Sequence, residues 1–186
     1  MTVLRAFLSL LGCWLAFEAA GADPALVGRL REGGYVLYLR HASTDFSQND
    51  SRMTSFADCD SQRNLTDRGR DEARALGEHV KRLKIPVGEV LASPFCRTME
   101  TARLAFGKAT ATSDVRGGPV EAARYEALRK LLSSPVAKGT NRVISSHGNP
   151  FYALAGPPYL AEGEIAVVKP EGDRFTVIAR IRPTEW

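Results

Sequence analysis

Three short apolar runs, each separated from the next by amphipathic stretches, restrict this chain more than any other feature. They are "GGYVLYLR" (33–40), "VGEVLAS" (87–93) and "NRVISS" (141–146). Short runs of this kind, rich in Val, Leu and Ile, read as strands buried on both faces, the pattern of a parallel sheet. After the first run comes "LTDRGRDEARALGEHVKRLKIP", in which Ala73, Leu76, Val80 and Leu83 recur at helical spacing, with Thr66 as N-cap and Pro86 beyond the end. After the second comes "SPFCRTMETARLAFG", where Ser93 is the expected N-cap, Pro94 the first helical residue and Gly107 the closing residue. A third helix is expected in "VEAARYEALRKLLSSP", burying Val120, Ala123, Ala127, Leu128 and Leu131, and a short one near Pro150. The runs "IAVVKP" and "RFTVIARI", joined through "EGD", read as a hairpin. Strands alternating with helices predict an α/β fold, a three-layer sandwich whose mostly parallel central sheet is flanked by helices.

The first 22 residues stand apart. "MTVLR" carries one arginine, "AFLSLLGCWLAF" is too short to span a bilayer comfortably, and Ala20 and Ala22 precede a cleavage site. This predicts a signal peptide over 1–22, a single domain over 23–186, and a periplasmic or secreted protein with no membrane span after cleavage. A lipoprotein anchored at Cys13 is the alternative. Export leaves Cys59 and Cys96, a candidate disulfide in an oxidising compartment, with two unrelated thiols as the other reading. The net charge of +4 suits an anionic ligand, and the absence of a basic run or an aromatic RNA-binding motif argues against nucleic acid.

Each of the three strands ends in polar residues: Arg40-His41, Ser93-Pro94 with Arg97 one turn on, and His147-Gly148. Ligands of open parallel sheets bind outside those carboxyl ends. Two arginine forks and two imidazoles in one pocket suit a phosphoryl group. One neutral imidazole can attack phosphorus and the other can hydrogen-bond its oxygens. Neither role needs a metal or a cofactor. His79, on the first long helix, reads as structural. Thr44 to Asn64 is a polar stretch longer than an ordinary connection and reads as a lid. Arg63 within it is either a solvated charge or a further phosphate contact.

"LRHAST", "NLTDRGRDEARALG", "LASPFCRTMETA" and "VISSHGN", in this order and spacing, resemble the histidine phosphatase superfamily, also called phosphoglycerate-mutase-like. The resemblance implies His41 as the phosphorylated nucleophile and Arg40, Arg97 and His147 as its phosphate pocket. Thr44 matches a pocket-lining hydroxyl, and Ser47 falls where relatives often carry asparagine. Relatives also place an acidic residue after the second arginine motif to protonate the leaving oxygen. Glu121 is the preferred candidate, with Glu126 and Asp45 as alternatives.

The expected function is therefore an exported, metal-independent phosphatase acting through phosphohistidine on His41. Its expected partner is a phosphorylated small molecule or an envelope glycan such as a sugar phosphate, with phosphoprotein left open. A phosphomutase, or a phosphate-binding module without catalysis, is the rival reading.

Overall fold

The computed structural model describes residues 23–186, so the expected leader and Cys13 fall outside the described residues. Five helices, α1 (Pro24–Glu32), α2 (Asp67–Arg82), α3 (Cys96–Phe106), α4 (Glu126–Ser133) and α5 (Gly148–Ala155), pack on six strands. The strands are β1 (Val36–Arg40), β2 (Val87–Ala92), β3 (Thr110–Ala111), β4 (Asn141–Ser146), β5 (Ile165–Pro170) and β6 (Phe175–Ile181).

They form one sheet in the order β3-β2-β4-β1-β5-β6. β1 and β4 pair in parallel, as do β4 with β2 and β2 with β3. Only the expected hairpin is antiparallel, β5 joining β1 and β6 joining β5. The absence of alternation in "YVLYL" has a direct cause. Leu37 and Leu39 pack with α1, α2 and α3 on one face. Val36 and Tyr38 pack with Leu128 and Leu132 of α4 and Phe151 of α5 on the other. A strand covered on both sides has no face to leave polar.

Three local expectations change. Ser93 does not cap α3; the helix opens at Cys96 behind Phe95, without a side-chain cap bond. Its hydroxyl instead meets the Nε2 of His147 at 2.9 Å. The third helix is also shorter and rotated. Residues 122–125 form a 3-10 turn, α4 starts at Glu126, and the buried positions are Tyr125, Leu128 and Leu132. Val120, Ala123 and Ala127 are exposed, because the 3-10 turn breaks the helical phase they were placed on. Finally, β3, two residues long, carried no apolar run to announce it.

The motif around α2 is architectural. Thr66 accepts a hydrogen bond from the Gly69 N–H at 3.0 Å, as an N-cap does. A Cβ on Gly69 would fall 2.0 Å from the Ser43 carbonyl oxygen, and one on Gly77 would fall 2.3 Å from that of Ala105. These glycines let α2 press against α3 and against the backbone just after His41. Glu72 of the same helix accepts from the Ser43 hydroxyl at 2.6 Å. Thus the "TDRGRDEARALG" segment fixes the path of the chain leaving β1 without reaching the site.

Candidate active site

β1 and β4 are neighbours at the sheet centre, so their carboxyl ends bring Arg40, His41 and His147 together. The rings of His41 and His147 are 5.5 Å apart and nearly perpendicular. Arg97 reaches the same place from α3, and Arg63 from the loop before α2. All five line a cavity of about 300 Å³, together with the first backbone groups of α5 at Gly148 and Asn149. The unbonded N–H groups of a helix start are themselves an anion site.

The backbone under this site is tightly held. The Tyr38 hydroxyl donates to the His147 carbonyl at 2.7 Å. The Nδ1 of His41 lies 3.0 Å from the Ala42 carbonyl. A carbonyl only accepts, so Nδ1 carries the proton and Nε2 keeps its lone pair. Burial, followed by the neighbouring Arg97, Arg40 and Arg63 charges, pushes the His41 pKa down to about 3 against the pull of that carbonyl. Burial, followed by His41 and the same arginines, holds His147 well below the usual imidazole range. Both rings are therefore neutral near pH 7, as a nucleophile and a hydrogen-bonding partner require.

The arginines carry a second signal. Buried side-chain nitrogens almost always have partners. Among the described residues, the Nε atoms of Arg40, Arg63 and Arg97 are buried without one. Arg40 uses Nη1 on the Leu160 carbonyl at 2.7 Å and faces Glu162 with Nη2 at 3.4 Å. Arg97 gives both Nη atoms to Asp50, at 3.0 and 3.1 Å. The three guanidinium groups belong to residues that line one cavity with His41 and His147.

Other expected residues fall elsewhere. Thr44 is buried beside His41, but its hydroxyl donates to Glu162 at 2.7 Å, not into the cavity. Ser47 is exposed and bonds to Asp45, away from the cavity lining. Glu121 and Glu126 are exposed and are not lining residues either. Arg63 does line the cavity, under the ring of Phe46 at 4.8 Å. Two functional carboxylates escaped the sequence reading. Glu162 ties Arg40 to Thr44, and Asp50 holds Arg97. Neither has a strand end or a helical period beside it to mark it.

The loop carrying Asp50 is pinned as expected. Cys59 and Cys96 form a disulfide with Cα atoms 5.7 Å apart. The buried Gln62 side chain adds to it, donating to the Phe56 and Asp58 carbonyls and accepting from the Cys96 N–H at 3.0 Å. Among the described residues no cluster of three His, Cys, Asp or Glu side chains could hold a metal, and no helix is long and apolar enough to cross a membrane.

Comparison with known proteins agrees with this geometry. Residues 36–118 match the family model of the histidine phosphatase superfamily, branch 1. No curated protein sequence matches the chain. Among solved structures, the protein histidine phosphatase SixA in complex with tungstate aligns at 23% identity and TM-score 0.55, covering 80% of this chain and 97% of its own. A mycobacterial glucosyl-3-phosphoglycerate phosphatase with inorganic phosphate aligns at 14% identity and TM-score 0.59, covering 83% and 100%. A phosphoserine phosphatase variant from Entamoeba histolytica with phosphoserine aligns at 12% identity and TM-score 0.56, covering 78% and 95%. At these identities the likeness is one of fold.

Proposed function

We infer that this chain is a phosphatase of the histidine phosphatase superfamily, and that it works outside the cytoplasm, without a metal, on a phosphorylated sugar of the cell envelope. The observation that carries the phosphoryl part is the convergence of Arg40, Arg63 and Arg97 on the cavity that His41 and His147 line. A phosphoryl group between Arg40, Arg63 and Arg97 faces the His41 lone pair. Nε2 attacks phosphorus and forms phosphohistidine, which water then hydrolyses. The Ser93 hydroxyl meets Nε2 of His147 at 2.9 Å; in the tautomer in which the hydroxyl donates, Nδ1 carries the proton that a phosphoryl oxygen can accept. Side chains supply every positive charge this step needs.

The rim supports the choice of a sugar. The cavity opens to solvent, and a substrate larger than the phosphoryl group reaches its rim. The exposed large hydrophobic residues among those described are Phe46, Val120 and Tyr159, at 72%, 52% and 45% exposure. Phe46 stacks on Arg63, Tyr159 lines the cavity, and Val120 is two residues beyond the lining Gly118. Aromatic faces at a phosphate mouth suit the apolar face of a sugar ring. The leader and the Cys59–Cys96 bridge support an oxidising location.

The test is to incubate purified protein with phosphorylated envelope glycans, in parallel with p-nitrophenyl phosphate, and map the trapped phosphoryl group. An acid-labile adduct on His41 and turnover that survives EDTA are expected. An adduct elsewhere, or activity restored only by added metal, overturns the mechanism. Glycan phosphates turned over no better than p-nitrophenyl phosphate overturn the substrate class.

A further inference from the structure

The leaving oxygen of a phosphate ester needs a proton, and the residues proposed to supply it from sequence are not at the cavity. Glu121 and Glu126 are exposed and outside the lining. Asp45 already accepts two hydrogen bonds from Ser47, which hold its carboxyl below the usual range. Glu162 is behind Arg40, occupied by the Thr44 N–H and hydroxyl. Among the described residues one carboxylate lines the cavity with His41: Asp50.

We propose that Asp50 is the general acid of this reaction, armed when substrate displaces it from Arg97. The inference rests on the phosphatase reading above. Before substrate enters, both Asp50 oxygens take the Arg97 fork at 3.0 and 3.1 Å, and Oδ1 also accepts the Arg63 N–H at 2.9 Å. A forked carboxylate and a phosphoryl group present the same pair of acceptors to a guanidinium. The two therefore compete for Arg97. Arg97 is buried on α3, whereas the Asp50 side chain is 32% exposed on a loop, so it is Asp50 that moves. Arg97 is the charge in direct contact with it; Arg63 meets it through its backbone N–H, and the Arg63, Arg40, His41 and His147 side chains line the same cavity. Once phosphate takes the arginine forks, the freed carboxylate stands beside a dianion. There it can hold a proton between its own oxygen and the leaving oxygen of the ester.

The steps balance as follows. The Nε2 lone pair of His41 forms the N–P bond as the bond from phosphorus to the leaving oxygen breaks. That oxygen keeps the electron pair and takes the proton from the Asp50 carboxyl. Asp50, now a carboxylate, accepts a proton from the water whose oxygen attacks phosphohistidine. The N–P bond breaks, its pair returns to Nε2, and inorganic phosphate departs with Asp50 protonated again.

The experiment compares Asp50→Asn with the unaltered protein on two substrates. An alkyl phosphate such as glycerol phosphate needs its leaving oxygen protonated, and p-nitrophenyl phosphate does not. Loss of a general acid costs about 10²–10⁴ in rate, so kcat on the alkyl phosphate should fall by that factor and kcat on p-nitrophenyl phosphate far less. The basic limb of the kcat/KM profile on the alkyl phosphate should vanish with it. Equal losses on both substrates would reduce Asp50 to a support for Arg97. A lower KM on both without loss of kcat would make it a mere competitor of phosphate. Either result overturns the proposal. If the variant does not fold, the unaltered protein still decides: kcat/KM should depend weakly on leaving-group pKa across a series of phosphates, and a steep dependence overturns the acid. Absence of any His41 adduct in the unaltered protein would instead overturn the phosphatase mechanism.

Discussion

β1 and the loop from Thr44 to Asn64 face each other across one cavity, and they are built in opposite ways. Val36 to Leu39 are fully buried and paired on both sides, with β4 and β5. His41 follows within two residues, its N–H bonded to the Ser146 carbonyl at 3.0 Å. The loop has exposed residues from Phe46 to Asn49 and stays in place through side-chain bonds, one isolated bridge and a disulfide. A ladder leaves a residue little freedom. A stapled loop keeps enough to open for a ligand. The attacking side of the site is therefore preorganised, and the leaving-group side is adjustable.

The largest effect should come from the rigid side. His41→Ala removes the atom proposed to attack phosphorus. Turnover should fall to background and the phosphoryl adduct should vanish. Turnover near the unaltered rate would break the comparison outright, because the ladder would then hold nothing catalytic.

Arg97 joins the two regions, rooted in α3 and bonded to the loop through Asp50. Lysine keeps the charge but cannot form the fork. Arg97→Lys should cost about 10²–10³ in kcat, the scale of one lost transition-state contact. A kcat close to that of the unaltered protein would remove Arg97 from the phosphate and leave it as a clasp for the loop.

Reducing the disulfide, or replacing both cysteines by serine, tests the adjustable side alone. The bridge closes a segment of 37 residues, and chain entropy sets its contribution to stability at about 4 kcal/mol. Thermal melts should show a lower Tm, and kinetics a KM that rises more than kcat falls. A drop in kcat with constant KM would show that the staple positions the rigid side too.

The last effect is a slope. His41 is held neutral to about pH 3 by burial, and His147 is held down in the same direction. An unfolded histidine takes its proton near pH 6.5. Between those values the unfolded chain binds more protons, so stability is full above about pH 6.5 and is lost as pH falls, by about 1.4 kcal/mol per unit for each ring. Denaturant titrations from pH 8 to 4.5 should show this decline, and His41→Asn should make it shallower, leaving the His147 contribution. An unchanged slope in that variant would mean that His41 is open to water and not part of the buried frame.

Local pattern alone determined the alternation of strands and helices, the hairpin, and the residues at the strand ends. A strand buried on both faces must be apolar throughout, so Arg40-His41 and His147 are conspicuous where such runs stop. The Cys59–Cys96 pair was legible for a similar reason, since an expected leader carrying Cys13 leaves an even count of cysteines and narrows the choices. Only the tertiary structure decided that Ser93 does not cap α3, because its hydroxyl meets His147, 54 residues away. Only it turned Tyr125 inward in place of Val120, Ala123 and Ala127. And only it brought Asp50 and Glu162 to the site. A carboxylate in a polar loop looks like any solvated charge until packing sets it against an arginine. That contact depends on where β1, β4 and α3 place their ends in space, and no local spacing encodes it.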